Sequence, residues 1–144
     1  MKKSLRNWIA GAMFVALMVS SVAVAMGSAV MPLGSSPEIP AASGDVRLRT
    51  TPNGNVEVKL RVANLAPPGR IVAGADVFVV WIRGQAPGAE AQNVGALKVN
   101  KKLSAKLTAT TSLSSFDLFI TCEQSQTATV PAVLELLPFH YSAK

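Results

Sequence analysis

The chain has 144 residues, 49% of them hydrophobic and 15% charged, with a formal net charge of +6. That length allows one folded domain of ordinary size, and removing the head cations Lys2, Lys3 and Arg6 takes +6 to +3, so the basicity makes no case for nucleic-acid binding. A single cysteine, Cys122, excludes an intramolecular disulfide and any cysteine-based metal cluster.

The chain opens on a basic head and then runs from Asn7 to Pro37 without a charged side chain. Lys2, Lys3 and Arg6, the apolar run Trp8 to Val24 and the small residues Ala23-Val24-Ala25 form the pattern of a secretory signal peptide over residues 1–25. Under the positive-inside rule the head stays in the cytoplasm and the remainder is carried out. The expected location is extracytoplasmic, either periplasmic or secreted. Trp8 to Leu33 is also long enough to cross a bilayer, which takes about 20 residues. Cleavage after Ala25 and a retained anchor in the cytoplasmic membrane both stay open. No cysteine follows the run closely and no twin arginine precedes it, which excludes a lipid-modified N-terminus and folded export.

Residues 26–44 hold Pro32, Pro37 and Pro40 among Gly, Ser and Ala, with no periodicity, and read as a flexible linker. The folded domain is expected over residues 45–144. There the period is two: Val46 and Leu48 alternate with Arg47 and Arg49, and Val56, Val58, Leu60 and Val62 with Glu57, Lys59 and Arg61. Pro52-Asn53-Gly54 between them predicts an antiparallel hairpin. Val77 to Ile82 is apolar throughout, as in a central strand covered on both faces. Gly84 to Asn93 reads as an exposed loop. Ala96 to Val99 and Leu103 to Thr110 read as a second hairpin turning at Asn100-Lys101. Phe116 to Glu123 and Val133 to Phe139 complete the set. The predicted fold is all-β, an antiparallel β-sandwich of about seven strands preceded by an N-terminal hydrophobic signal helix.

No catalytic set assembles from these residues. His140 is the only histidine, and any Ser-His-Asp arrangement would have to use it. There is no G-x-S-x-G, no phosphate-binding glycine loop and no calcium loop. Eight scattered acids and one His give no zinc or cofactor site. The expected catalytic, cofactor and metal residues are therefore none. Cys122, in phase with Phe116, Leu118 and Ile120, reads as a buried hydrophobe, with an intermolecular disulfide as the alternative. Trp81 reads as core. Phe119 is out of phase, so it either covers a sheet edge or joins a binding patch. Glu123 reads as a solvated strand end or as a bond to a neighbouring loop. The dispersed cations read as solvated strand faces, with an anionic membrane surface or polysaccharide as the alternative.

Several short pieces occur in a telling order: Leu65-Ala66-Pro67-Pro68, then Asp76 to Ile82 with Trp81 near its end, Asn93-Val94-Gly95-Ala96-Leu97, Phe116 to Glu123 ending in Thr-x-Glu, and Pro131. In that order they resemble the C-terminal extracytoplasmic domain of the anti-sigma-K factor family. Gln124-Ser125-Gln126-Thr127 departs from the Gly-Gly turn usual there, and Val130-Pro131-Ala132 from its Pro-Thr-Gly. The resemblance implies a sensory or regulatory module. Met1 to Asn7 leaves no room for a cytoplasmic sigma-binding domain, so no direct sigma-factor binding is expected. The expected function is that of an exported, non-enzymatic binding or regulatory module of the cell envelope, with an unknown envelope protein or ligand as partner. The alternatives are a structural envelope or assembly protein and an accessory regulator of an extracytoplasmic-function sigma system. Loops Ala66 to Ala75 and Gly84 to Asn93 are the expected binding elements.

Overall fold

A computed structural model describes residues 29–144. The expected signal helix, its cleavage point and the anchor alternative lie outside the described residues. Eight strands occur in chain order: β1 (Val30–Pro32), β2 (Ser43–Thr50), β3 (Val56–Ala63), β4 (Val77–Gly84), β5 (Ala91–Leu97), β6 (Ala105–Thr111), β7 (Ser115–Glu123) and β8 (Leu136–Ser142). One helical turn, α1 (Pro68–Ile71), follows β3, where Pro68 presets the first helical position. The strands form two antiparallel four-stranded sheets, ordered β1-β2-β3-β6 and β5-β4-β7-β8.

The period-two pattern explains how the sheets face each other. Val56, Val58, Leu60 and Val62 of β3 are buried, and so are Phe78, Val80 and Ile82 of β4 and Phe116, Leu118 and Ile120 of β7. All belong to one continuous apolar cluster, so each sheet buries one face against the other. β4 lies between β5 and β7 and is covered on its second face as well, as its unbroken apolar run predicts.

The expected β2–β3 hairpin is present, with Thr50 opposite Val56. Its turn is longer than a two-residue Asn-Gly turn. Gly54 donates to the Thr51 carbonyl at 2.9 Å, and only Gly54 takes positive φ, at 81°. Pro52 fixes its own φ near the value for the second position of a type I turn, which leaves the left-handed step to glycine.

Two expectations are corrected. The flexible linker over 26–44 is, from Val30 onward, part of the fold. β1 pairs with β2, and Ser36, Ile39 and Ala42 are buried. The Leu137 N–H donates to Ser36 Oγ at 2.7 Å, and the Gly34 N–H donates to the Pro138 carbonyl at 2.8 Å. Leu137 sits at positive φ (48°) where the β7–β8 register slips, so its N–H is free of the ladder and a side chain must satisfy it. Periodicity cannot reveal a segment held this way, since its bonds run to distant chain. The second correction concerns the hairpin expected around Asn100-Lys101. The turn is there, with Asn100 Oδ1 accepting from the Lys102 and Ser104 N–H groups. However, β5 pairs with β4 and β6 with β3, so the connection crosses from one sheet to the other. The last strand also begins three residues later than expected, at Leu136.

Candidate functional site

The outer face of the β1-β2-β3-β6 sheet gathers the cations that look dispersed in sequence. Alternation places Asp45, Arg47 and Arg49 outward on β2, and Glu57, Lys59 and Arg61 outward on β3. Antiparallel pairing then sets Arg47 opposite Lys59 and Arg61 opposite Lys106 of β6. Like charges directly across a ladder are destabilising. Glu57 neutralises part of the face, meeting Arg49 at 3.3 Å and Lys59 at 3.7 Å. Among the described residues, no ion pair reaches Arg47, Arg61 or Lys106. Five cations against Asp45 and Glu57 leave this face at +3.

At one end the face opens into a cleft of about 730 Å³, lined by Asp45, Arg61, Lys98, Asn100, Ser104 and Lys106. The crossing connection carries Lys98 there. Asp45 Oδ1 is buried without a hydrogen-bond partner, a polar atom whose desolvation is uncompensated. The cleft offers cationic and neutral donors to an anionic group.

The outer face of the second sheet is built differently. Val79, Trp81 and Phe119 form a second apolar cluster there, joined by Ala91 and Ala128. Residues 124–135 lie over them. Four contacts hold that segment: Asn93 Nδ2 donates to both the Gln126 and Ala128 carbonyls, the Ala132 N–H donates to Glu123 Oε1 at 2.7 Å, and Arg83 pairs with Glu135 at 2.9 Å. Arg83 also stacks 4.7 Å from the Phe119 ring centroid. Beneath the segment Trp81 Nε1 donates to Thr121 Oγ1 at 2.8 Å, and the Thr121 hydroxyl donates to Glu123. Trp81 is therefore buried as expected, but outside the main core. Phe119 is covered rather than part of an exposed patch, and Glu123 takes the loop-bonding role. In the sequence Asn93 and Thr121 stand inside the Asn93-to-Leu97 and Thr-x-Glu pieces, with nothing there to mark the bonds they make.

Further along this face His140 Nδ1 lies 2.7 Å from Asp117 Oδ1, with Gln85 Nε2 donating to the same oxygen at 3.3 Å. Burial raises the Asp117 pKa, but the His140 and Gln85 hydrogen bonds and the charges of His140 and Arg83 outweigh it, so the carboxyl sits below its ordinary value. Ser115 and Ser142 face each other two residues along the same ladder, with their hydroxyls 3.3 Å apart. Among the described residues no serine hydrogen-bonds to His140, whose side chain is 74% exposed. A hydroxyl nucleophile needs its base within hydrogen-bond reach.

Cys122 is buried in phase with its neighbours, and burial, followed by the Glu123 charge, pushes its thiol up to about 11. Among the described residues no three His, Cys, Asp or Glu side chains group as metal ligands, and no helix is long and apolar enough to cross a membrane.

The two loops expected to bind lie at opposite ends of β4, roughly 25 Å apart along eight residues. They cannot form one surface. The first is also partly structural, since Ala75 is buried and Ile71 and Val72 pack on the core. The second is shorter than expected, because β5 starts at Ala91; Gln85 to Gly88 are exposed.

No protein-family model matches the chain, and no curated protein matches it.

Proposed function

We propose that this chain is an exported, non-enzymatic β-sandwich of the cell envelope that works as a binding or regulatory module. The observation that carries the binding role is the cation-lined cleft and the opposed cations of the adjoining sheet face. A fold that keeps Arg47 against Lys59 and Arg61 against Lys106 holds a cost that Asp45, on the other side of Arg61, offsets only in part and that an anionic partner relieves. Export rests on the basic head, apolar run and small residues of positions 1–25. The regulatory part rests on the resemblance to the anti-sigma-K outer domain. It is supported by the meeting of three positions of that resemblance, Trp81, Thr121 and Glu123, in one hydrogen-bonded chain.

Two measurements test this reading. Sequencing the N-terminus of the protein from fractionated cells should return Met26 in the extracytoplasmic fraction, or the intact chain in the membrane fraction; a cytoplasmic protein sinks the export reading. Capture of envelope components should fall at least tenfold for Arg61→Glu/Lys106→Glu. Equal capture by variant and native protein refutes binding at the cleft.

A further inference from the structure

We propose that the outer face of the β1-β2-β3-β6 sheet docks on anionic phospholipid headgroups. This deepens the proposed function and rests on its export reading. Four observations point to a lipid surface. The face belongs to an open sheet, and Arg47, Lys59, Arg61 and Lys106 project from it as two adjacent opposed pairs. A broad array of this kind meets many headgroups at once, each cation adding roughly a fivefold gain in binding. Next, Val30 lies on the same face, directly opposite Arg47, and is 53% exposed. An apolar side chain beside cations suits the boundary between headgroups and acyl chains, where an extended polyanion offers nothing to it. The third observation is position. β1 is the edge strand of this sheet, and only residues 25–29 separate it from the apolar run Trp8 to Val24. Five residues reach at most about 18 Å. A retained anchor would hold the β1 edge of this sheet close to the bilayer. Finally, the apolar part of the second sheet's outer face is already covered by residues 124–135, while this face carries no covering segment among the described residues.

The test is lysine acetylation footprinting of the full chain on vesicles, which reads the face itself whether or not the apolar run inserts. On phosphatidylglycerol vesicles, labelling of Lys59 and Lys106 should slow at least fivefold relative to phosphatidylcholine vesicles, while Lys144 is unchanged. Salt at 0.5 M should restore labelling, because screening shortens the reach of the face to a few Å. Arg47→Gln/Arg61→Gln, checked for folding by circular dichroism, should weaken the protection by roughly 25-fold in lipid concentration. Equal labelling on both vesicle types overturns the proposal. Protection by soluble polyphosphate but not by vesicles also overturns it, reassigning the face to a soluble polyanion and leaving the binding reading intact. Protection by neither removes lipid docking and anion binding by this face together.

Discussion

Replacing Thr121 with Val isolates one buried hydrogen bond. Thr121 and Trp81 are both fully buried, and the indole N–H has Thr121 Oγ1 as its partner at 2.8 Å. Valine matches threonine in shape and suits a strand equally well, so neither a cavity nor a backbone penalty enters. What remains is an indole N–H stranded in an apolar cluster, at about 1–3 kcal/mol. Glu123 also loses the threonine donor but keeps the Ala132 N–H. We expect Thr121→Val to lower stability by about 2 kcal/mol, which moves a urea midpoint by roughly 1 M at a typical slope. The control is the same change in a Trp81→Phe background, where no indole N–H is left to strand. There the cost should fall to about half or less, giving a coupling of about 1 kcal/mol. A loss under about 0.5 kcal/mol in the native background, or equal losses in both, would refute the assignment.

Three further outcomes follow from the geometry. Asp117 has its folded pKa below the ordinary value of 3.8, so its contribution is present above that value and is lost as pH falls through the folded pKa. Acid titrations of stability for native protein and Asp117→Asn should run parallel above about pH 5 and converge below about pH 4; parallel curves throughout would contradict this. Cys122, buried with its thiol pushed up to about 11, should resist iodoacetamide at pH 8 in the folded protein and react fully in denaturant; fast native labelling would show the site is open. A chain starting at Asp45 loses buried Ile39 and strands the Leu137 N–H. It should be less stable than one starting at Ala29 by roughly 3–6 kcal/mol, and equal denaturation midpoints would refute the structural role of residues 30–44.

Elements with local causes were legible in the sequence. The β2–β3 hairpin follows from alternation plus Pro52-Asn53-Gly54, and β4 and β7 from their apolar runs. Alternation also told which way Phe119 points. What stayed hidden depends on distant pairing. Arg47, Arg49, Lys59 and Arg61 read as one strand face each, but nothing local reveals that β6 brings Lys106 opposite Arg61. The same holds for β5, whose bulge at Val94 needs Gly95 at φ 141° with Leu107 close against it, a contact between sheets. Residues 30–42 were missed because only the three residues of β1 form a ladder, and the rest are ordered by single bonds to β2 and β8 rather than by a repeating pattern. The cover over Trp81 was missed because its anchors, Arg83, Asn93 and Glu123, are polar residues spread over three strands.

The segment after β1 has a mechanical consequence. The Leu33 N–H bonds to the Gly44 carbonyl on one sheet, while Gly34 and Ser36 bond to β8 on the other. Tension entering through Ala29 therefore reaches both sheets within a few residues and cannot be relieved by peeling β1 alone. The C-terminal end lacks such a yoke: beyond β8, Ala143 makes a single backbone bond to Ser114 at 3.2 Å. A pull on the front of the chain should yield in one abrupt step at higher force, and a pull on the back should fray strand by strand.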